Sequence, residues 1–274
     1  MLDRLITFPA GEAQIPERVV LRNGSLRTVT LPATVAALHH PDEGWILFDT
    51  GYSRHVEHEV QTGLERLYPL VVPFTVPIGA ADQLRARGID PADVRHVIIS
   101  HLHPDHIGGL LDFPNATLHC PREAWRVNAP AIGPARMRLA FMPGLLPSDF
   151  HDRVHWIDGL TGSGAGPFPA TGDLFGDGSV RLVELPGHAA GQIGAFVTVQ
   201  ADPEPRRALL AADSCWLSRG FQELSEPSRI TRLIIDDPHA SRATLGRLHH
   251  LHTMDPSLVI LPSHCPTVAP IDWG

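Results

Sequence analysis

The segment Ser100-His101-Leu102-His103-Pro104-Asp105-His106-Ile107-Gly108-Gly109 sets three imidazoles and a carboxylate within six positions, directly after the apolar run Val97-Ile98-Ile99. In an extended chain, side chains two positions apart share a face, so His101 and His103 can point at one ion. The turn at Pro104 redirects the chain, and Asp105 and His106 can then reach a second ion nearby. Imidazole and carboxylate are ligands that suit zinc, with iron and manganese as alternatives. A histidine-rich surface loop has no need of this order of residues at the end of a buried strand. Gly108-Gly109 lets the following backbone pack tightly against the site.

Other candidate residues stand at the ends of other apolar runs. Trp45-Ile46-Leu47-Phe48 runs into Asp49-Thr50-Gly51, and Val180 to Leu185 runs into Pro186-Gly187-His188. Ala208 to Ala212 runs into Asp213, and Leu258 to Leu261 runs into Pro262-Ser263-His264. Short apolar runs with β-branched residues, bounded by turn signals, predict buried strands. Helices are predicted over Ala80 to Arg87, stopping at Gly88, over Ser241 to His252, and over Arg54 to Leu67. Leu245, Leu248 and Leu251 give the second of these one apolar face. Gly176-Asp177-Gly178 and Gly24-Ser25 are hairpin cues. Strands and helices interleaved in this way predict an α/β or αββα layered fold.

A single domain over 1–274 is expected, with excursions at 54–78 and 129–150 lining the site. The second excursion holds Met137, Leu139, Phe141, Met142, Leu145, Leu146 and Phe150, a content that suits an apolar groove and an ordinary core equally.

Composition narrows the function further. With 43% hydrophobic and 19% charged residues, the 274-residue chain has the makings of a folded core. All 22 basic residues are Arg, and the absence of Lys excludes Schiff-base chemistry, a pyridoxal-phosphate lysine and a Walker A loop. A net charge of −8 argues against a nucleic-acid partner. Cys120, Cys215 and Cys265 are too few and too scattered for a disulfide framework or a cysteine zinc ribbon; Cys215 and Cys265 are expected to be packing residues. No run approaches the roughly 18 apolar residues of a membrane helix, so no membrane partner is expected. Met1 to Ala13 lacks a charged leader with an apolar stretch, which makes a reducing cytoplasm the expected location. Neither a Gly-x-Ser-x-Gly elbow nor a Cys/His nucleophile pair is present.

The His-x-His-x-Asp-His string resembles the signature of the metallo-β-lactamase-fold hydrolases, and the resemblance runs from Leu47-Phe48-Asp49-Thr50-Gly51 to Ser263-His264. It implies an αββα four-layer sandwich with two divalent metal ions at one edge of the sheets. Carried onto this chain, it implies His101, His103 and His188 as ligands of the first ion and Asp105, His106 and His264 of the second, with Asp213 bridging both. Asp49 matches a carboxylate that orients a ligand histidine. Two ions sharing a hydroxide bring the pKa of bound water towards neutrality and polarise the bond under attack. Asp105 and Asp213 are therefore the expected catalytic carboxylates, Asp105 passing a proton to the leaving group.

The stretch from Gly172 to Gln192 is similar to the corresponding part of the N-acyl-homoserine lactonases, which implies a small-molecule lactone or ester substrate. Those enzymes carry a tyrosine three residues beyond the bridging aspartate, where this chain has Trp216. Tyr52, Trp216, Phe141 and Met142 are the expected substrate contacts. Two alternatives stay open: a thioesterase of the glyoxalase II type, although no basic glutathione-binding segment matches, and a metal-binding sensor without turnover.

Overall fold

A computed structural model of the chain describes residues 1–268 and 270–274, and the side chains of all of these except Arg232 and Leu233. In chain order the strands are β1 (Arg4–Pro16), β2 (Thr28–His40), β3 (Gly44–Phe48), β4 (Phe74–Thr75), β5 (Val94–Ile98), β6 (Thr117–Pro121) and β7 (Val154–Ile157). They are followed by β8 (Gly162–Ala165), β9 (Phe168–Asp173), β10 (Val180–Glu184), β11 (Ile193–Val199), β12 (Arg206–Ala212), β13 (Val259–Pro262) and β14 (Asp272–Trp273). One sheet runs β14-β1-β2-β3-β5-β6-β7, with β4 paired to β1, and the other runs β13-β12-β11-β10-β9-β8.

The layering follows from the two-residue period of the strands. In β2 and β3, Ala36, Leu38, Ile46 and Phe48 face Leu182, Ala195, Val197 and Leu210 of the other sheet. Their neighbours Val35, Ala37 and Leu47 face the opposite way, against Val56, Ala81 and Leu84 of helices. In β12, Leu209 and Ala211 likewise turn outwards onto Leu245, Leu248 and Leu251. Helix, sheet, sheet and helix are therefore stacked in four layers, and central strands such as β3 and β12 are apolar on both faces because each face is covered.

Helix ends explain where the elements stop. The helix Pro238–Met254 encloses the predicted Ser241 to His252; Pro238 opens it, and the Asp237 carboxylate accepts from the His239 and Ala240 amides. The helix Ala80–Arg85 gives way to Gly88 at φ +76°, the left-handed region that favours glycine. Arg54 to Leu67, expected as one helix, is broken into separate pieces. Arg54–Glu59 is helical, Gly63 then takes φ +63°, and Tyr68–Val71 forms a separate short helix. A residue with positive φ cannot continue a right-handed helix. Gly176 and Gly178, at φ +82° and +78°, make the turn between β9 and β10.

Strand direction brings the candidate residues to one edge. β3 and β5 run parallel, and so do β12 and β13, while β10 reaches β12 through the antiparallel β11 and shares its direction. The two sheets are stitched at that edge, where the Ile193 amide donates to the Ser100 carbonyl at 3.1 Å and the Thr34 amide to the Ser263 carbonyl at 3.0 Å. No helix of the described residues is long and apolar enough to cross a membrane.

Candidate metal centre

The segment after β5 starts extended and turns at Pro104. His103 holds φ −75° and ψ 154°, the extended conformation that a following proline favours, and Pro104 opens the single helical turn Pro104–Ile107. His101 and His103 thus face one side, with Nε2 of His101 3.0 Å from Nδ1 of His103. His188, 85 positions later, brings its Nε2 to 3.0 Å from the same Nδ1.

The helical turn carries Asp105 and His106 to the other half of the site. Nε2 of His106 lies 3.2 Å from Oδ1 of Asp213, and Nε2 of His264 lies 3.2 Å from Oδ2 of Asp105. Oδ2 of Asp213 is 3.1 Å from Nε2 of His264 and 3.4 Å from Nε2 of His188, so this carboxylate stands between the two halves. Donor atoms of three groups, His101/His103/His188, His101/His106/Asp213 and Asp105/His106/His264, each lie within 4.8 Å of one another.

Three of the histidines are held through the nitrogen that faces away. Nδ1 of His106 is 2.7 Å from Oδ2 of Asp49. Nδ1 of His264 donates to the Pro32 carbonyl at 2.7 Å. Nδ1 of His101 is 2.9 Å from the Ser100 hydroxyl, which itself donates to Asp49 at 2.8 Å. Placing the protons on Nδ1 leaves three Nε2 lone pairs aimed inwards, the form in which imidazole ligates a metal.

The residues present fit divalent cations. Nε2 of His106 and Oδ1 of Asp213 are buried and have no hydrogen-bond partner, though they face each other. With the His106 proton held by Asp49, a lone pair meets a carboxylate oxygen, an arrangement that a bound cation stabilises. An ion with bonds of about 2.0–2.1 Å in a tetrahedron spaces its donor atoms about 3.3 Å apart, close to the separations seen here. Five imidazoles and two carboxylates, without thiolates, suit zinc, iron or manganese.

Electrostatics divide the cluster in the same way. Burial, reinforced by His188, lowers His103 to about 3, and burial with His106 and His103 lowers His101 well below its usual value. Burial also lowers His188. Burial opposes ionisation of Asp105, yet His106 and His264 outweigh it and bring the carboxyl down to about 2. The same contest lowers Asp213, through His264, His106 and His188. Burial disfavours charge on His264, but Asp213 and Asp105 raise it to about 10, and Asp49 and Asp213 raise His106 likewise. Three imidazoles are thus held neutral, the form that ligates a metal, while His106 and His264 supply the positive charge that the two carboxylates attract and that a divalent cation would replace.

The Asp-Thr-Gly segment clamps this arrangement. The Thr50 hydroxyl donates to the His106 carbonyl at 2.9 Å and accepts from the Gly109 amide at 3.0 Å. Asp49 holds φ +62°, a conformation that Asp and Asn tolerate better than most residues. Ser100, which orients both Asp49 and His101, was signalled only by its place between a strand and the first histidine.

A cavity of about 400 Å³ opens onto the cluster, exposing His103, Asp105, His188, Asp213 and His264 on one wall. Its other walls are apolar and come from both excursions, through Tyr68, Val71 and Val72 and through Met137 and Ala140, and from the N-terminal residues Ala13, Ile15 and Leu31. Trp216 lines it too, its indole N–H donating to Oδ2 of Asp213 at 2.9 Å. Three expected substrate contacts are elsewhere. Phe141 and Met142 are buried in the helical layer, because Ala140, at φ +46°, reverses the chain after Met137 and Arg138. Tyr52 is fully buried beneath Tyr68, whose hydroxyl it meets at 2.8 Å. Tyr68, rather than Tyr52, is the phenol at the cavity. Cys120 and Cys265 are buried and Cys215 partly so, and all three are free thiols.

The family model described as Metallo-beta-lactamase superfamily matches residues 30–203, well over half of the chain. The chain belongs to the metallo-beta-lactamase superfamily. Among curated relatives, the N-acyl homoserine lactonase AttM of Rhizobium radiobacter is 31% identical over 155 residues, covering 54% of this chain and 52% of that protein, about half its length. The probable metallo-hydrolase Rv2300c of Mycobacterium tuberculosis is 30% identical over 238 residues, covering 82% of this chain and 72% of its relative. A solved structure of a B. thuringiensis AiiA mutant, with N-decanoyl-L-homoserine bound at its active site, superposes with a TM-score of 0.69 over 97% of this chain and 94% of that one at 21% identity. That likeness establishes the metallo-β-lactamase fold for the four layers described above.

Proposed function

We propose that this metallo-β-lactamase-fold protein is a dinuclear metal-dependent hydrolase that opens a lactone, or cleaves an ester, carrying an apolar acyl group. The observation that carries the reading is the apolar cavity of about 400 Å³ with the imidazole and carboxylate cluster as one wall. Relatives named as lactonases support the same bond class. His101, His103 and His188 would hold one divalent ion, Asp105, His106 and His264 the other, and Asp213 both. Zinc is the first expectation from the donor set, with iron and manganese as alternatives. When bound, such ions polarise a carbonyl and lower the pKa of water in the site.

The chain's own residues have defined tasks in this reading. The apolar walls exclude water from the acyl group and orient the scissile carbonyl towards the cluster. Asp105, ionised and exposed to the cavity, accepts the proton that the attacking water releases and returns it to the leaving alkoxide. Water and lactone thereby give a hydroxy acid, with one C–O bond formed and one broken. Asp49 and Ser100 keep the His106 and His101 rings turned inwards.

The test is metal analysis followed by a substrate panel on zinc-, iron- and manganese-loaded protein. About two metal equivalents per chain are expected, with turnover of acyl-lactones or aryl esters that rises with acyl length and is lost on chelation. His103→Ala should lose metal and turnover together. Turnover confined to glutathione thioesters would replace the reading with a thioesterase, and tight ligand binding without product would replace it with a sensor.

A further inference from the structure

The cavity has few hydrogen-bond donors outside the ligand cluster. Among the side chains of its described lining residues these are Trp216, Arg138 and Tyr68. The single N–H of Trp216 is given to Asp213, and Arg138 is solvent-exposed. Tyr68 is different, being 7% exposed and touching Tyr52, which is 0% exposed, hydroxyl to hydroxyl at 2.8 Å.

The protons the two phenols carry fix the direction of that bond. Burial, followed by the charge of Asp105, keeps both phenols protonated well above their usual range, so two O–H protons serve one hydrogen bond. Among the described residues neither hydroxyl has another partner. If Tyr68 donated, the Tyr52 proton would be stranded in a wholly buried place, the costlier state. Tyr52 has no room to turn away. Its ring stacks on Phe74 with centroids 4.7 Å apart, its amide donates to the Ala10 carbonyl at 2.8 Å, and a Cβ on Gly11 would lie 2.6 Å from its own Cβ. Tyr52 therefore donates and Tyr68 accepts, which leaves the Tyr68 proton to the cavity and makes it a better donor.

We infer that Tyr68 donates a hydrogen bond to the scissile carbonyl oxygen of the substrate, and that Tyr52 is a positioning residue acting through it. The inference rests on the hydrolytic reading above. It assigns a task to the 54–78 excursion that no cluster residue performs. A preorganised donor aimed at an oxygen that gains charge during attack lowers the barrier more than it tightens binding.

Because Tyr52 and Tyr68 are the chain's two tyrosines, 3-fluorotyrosine labelling gives two ¹⁹F resonances, assignable with Tyr52→Phe and Tyr68→Phe. On the best lactone or ester of the panel, Tyr68→Phe should lower kcat at least about tenfold with KM within about threefold and metal content unchanged. Tyr52→Phe should cost less, and the double variant should match Tyr68→Phe, whereas a merely structural Tyr52 would add its own loss. Titrating N-decanoyl-homoserine into zinc-loaded protein should shift the Tyr68 resonance. Full turnover by Tyr68→Phe, or a Tyr68 resonance indifferent to this probe, overturns the inference while leaving the hydrolase intact. A wild type that hydrolyses nothing in the panel overturns both the hydrolase and a catalytic Tyr68, whatever the resonance does.

Discussion

Oδ2 of Asp49 lies 2.7 Å from Nδ1 of His106, joining the end of β3 to a residue 57 positions away and fixing which ring nitrogen faces the cluster. The Asp49 carboxylate also accepts from the Ser100 amide and hydroxyl, each at 2.8 Å, so one buried anion sets two imidazoles. Asp49→Asn keeps the left-handed backbone and the size of the side chain while removing the charge. Zinc affinity, followed by competition with a chelator, should fall by about 10–100-fold. Wild-type affinity in this variant would show that Asp49 does not orient the ligand.

The backbone around the cluster has no spare room. A Cβ on Gly108 would lie 2.6 Å from the carbonyl oxygens of both Gly51 and Pro104. Gly108→Ala should therefore destabilise the fold by about 1–3 kcal/mol, in urea or thermal unfolding, and reduce the metal retained on purification. Unchanged unfolding would mean that the loop relaxes freely.

Trp216 touches both the cavity and the carboxylate between the two halves of the site. Trp216→Phe preserves an aromatic wall and removes the donor to Asp213. Metal affinity should fall by about tenfold, consistent with losing one hydrogen bond to a charged group in a half-buried position. A variant that changed only KM for long acyl substrates would assign Trp216 to the wall alone.

Away from the cluster, His119 stands between His96 and His155 across neighbouring strands, at 3.0 Å and 3.4 Å. Burial, with these two neighbours, lowers its pKa from 6.5 to about 3. The unfolded chain then binds a proton that the native state refuses, so this contribution to stability is present above about pH 6.5 and is lost as pH falls towards 3. His119→Gln should flatten the fall of thermal stability between pH 6.5 and 4. An unaltered slope would place the acid sensitivity elsewhere.

Strand ends were legible in the sequence because covering both faces of a strand demands a run of apolar residues, and a polar residue closing such a run stands out at once. Asp49, His101, His188, Asp213 and His264 could be picked out in this way, and the local turn at Pro104 separated Asp105 and His106 from His101 and His103. These are short-range consequences of backbone period and proline geometry. Composition could not say which apolar residues of 129–150 face a cavity. That depended on one left-handed residue, Ala140, which sends Met137 to the cavity wall and Phe141 to the core. Nor could spacing choose between Tyr52 and Tyr68, since their order from core to cavity arises from packing on Phe74 and Ala10. The candidate ligand types were written into the chain by local pattern, whereas the cavity beside them was decided by contacts between distant segments, which only the folded arrangement specifies.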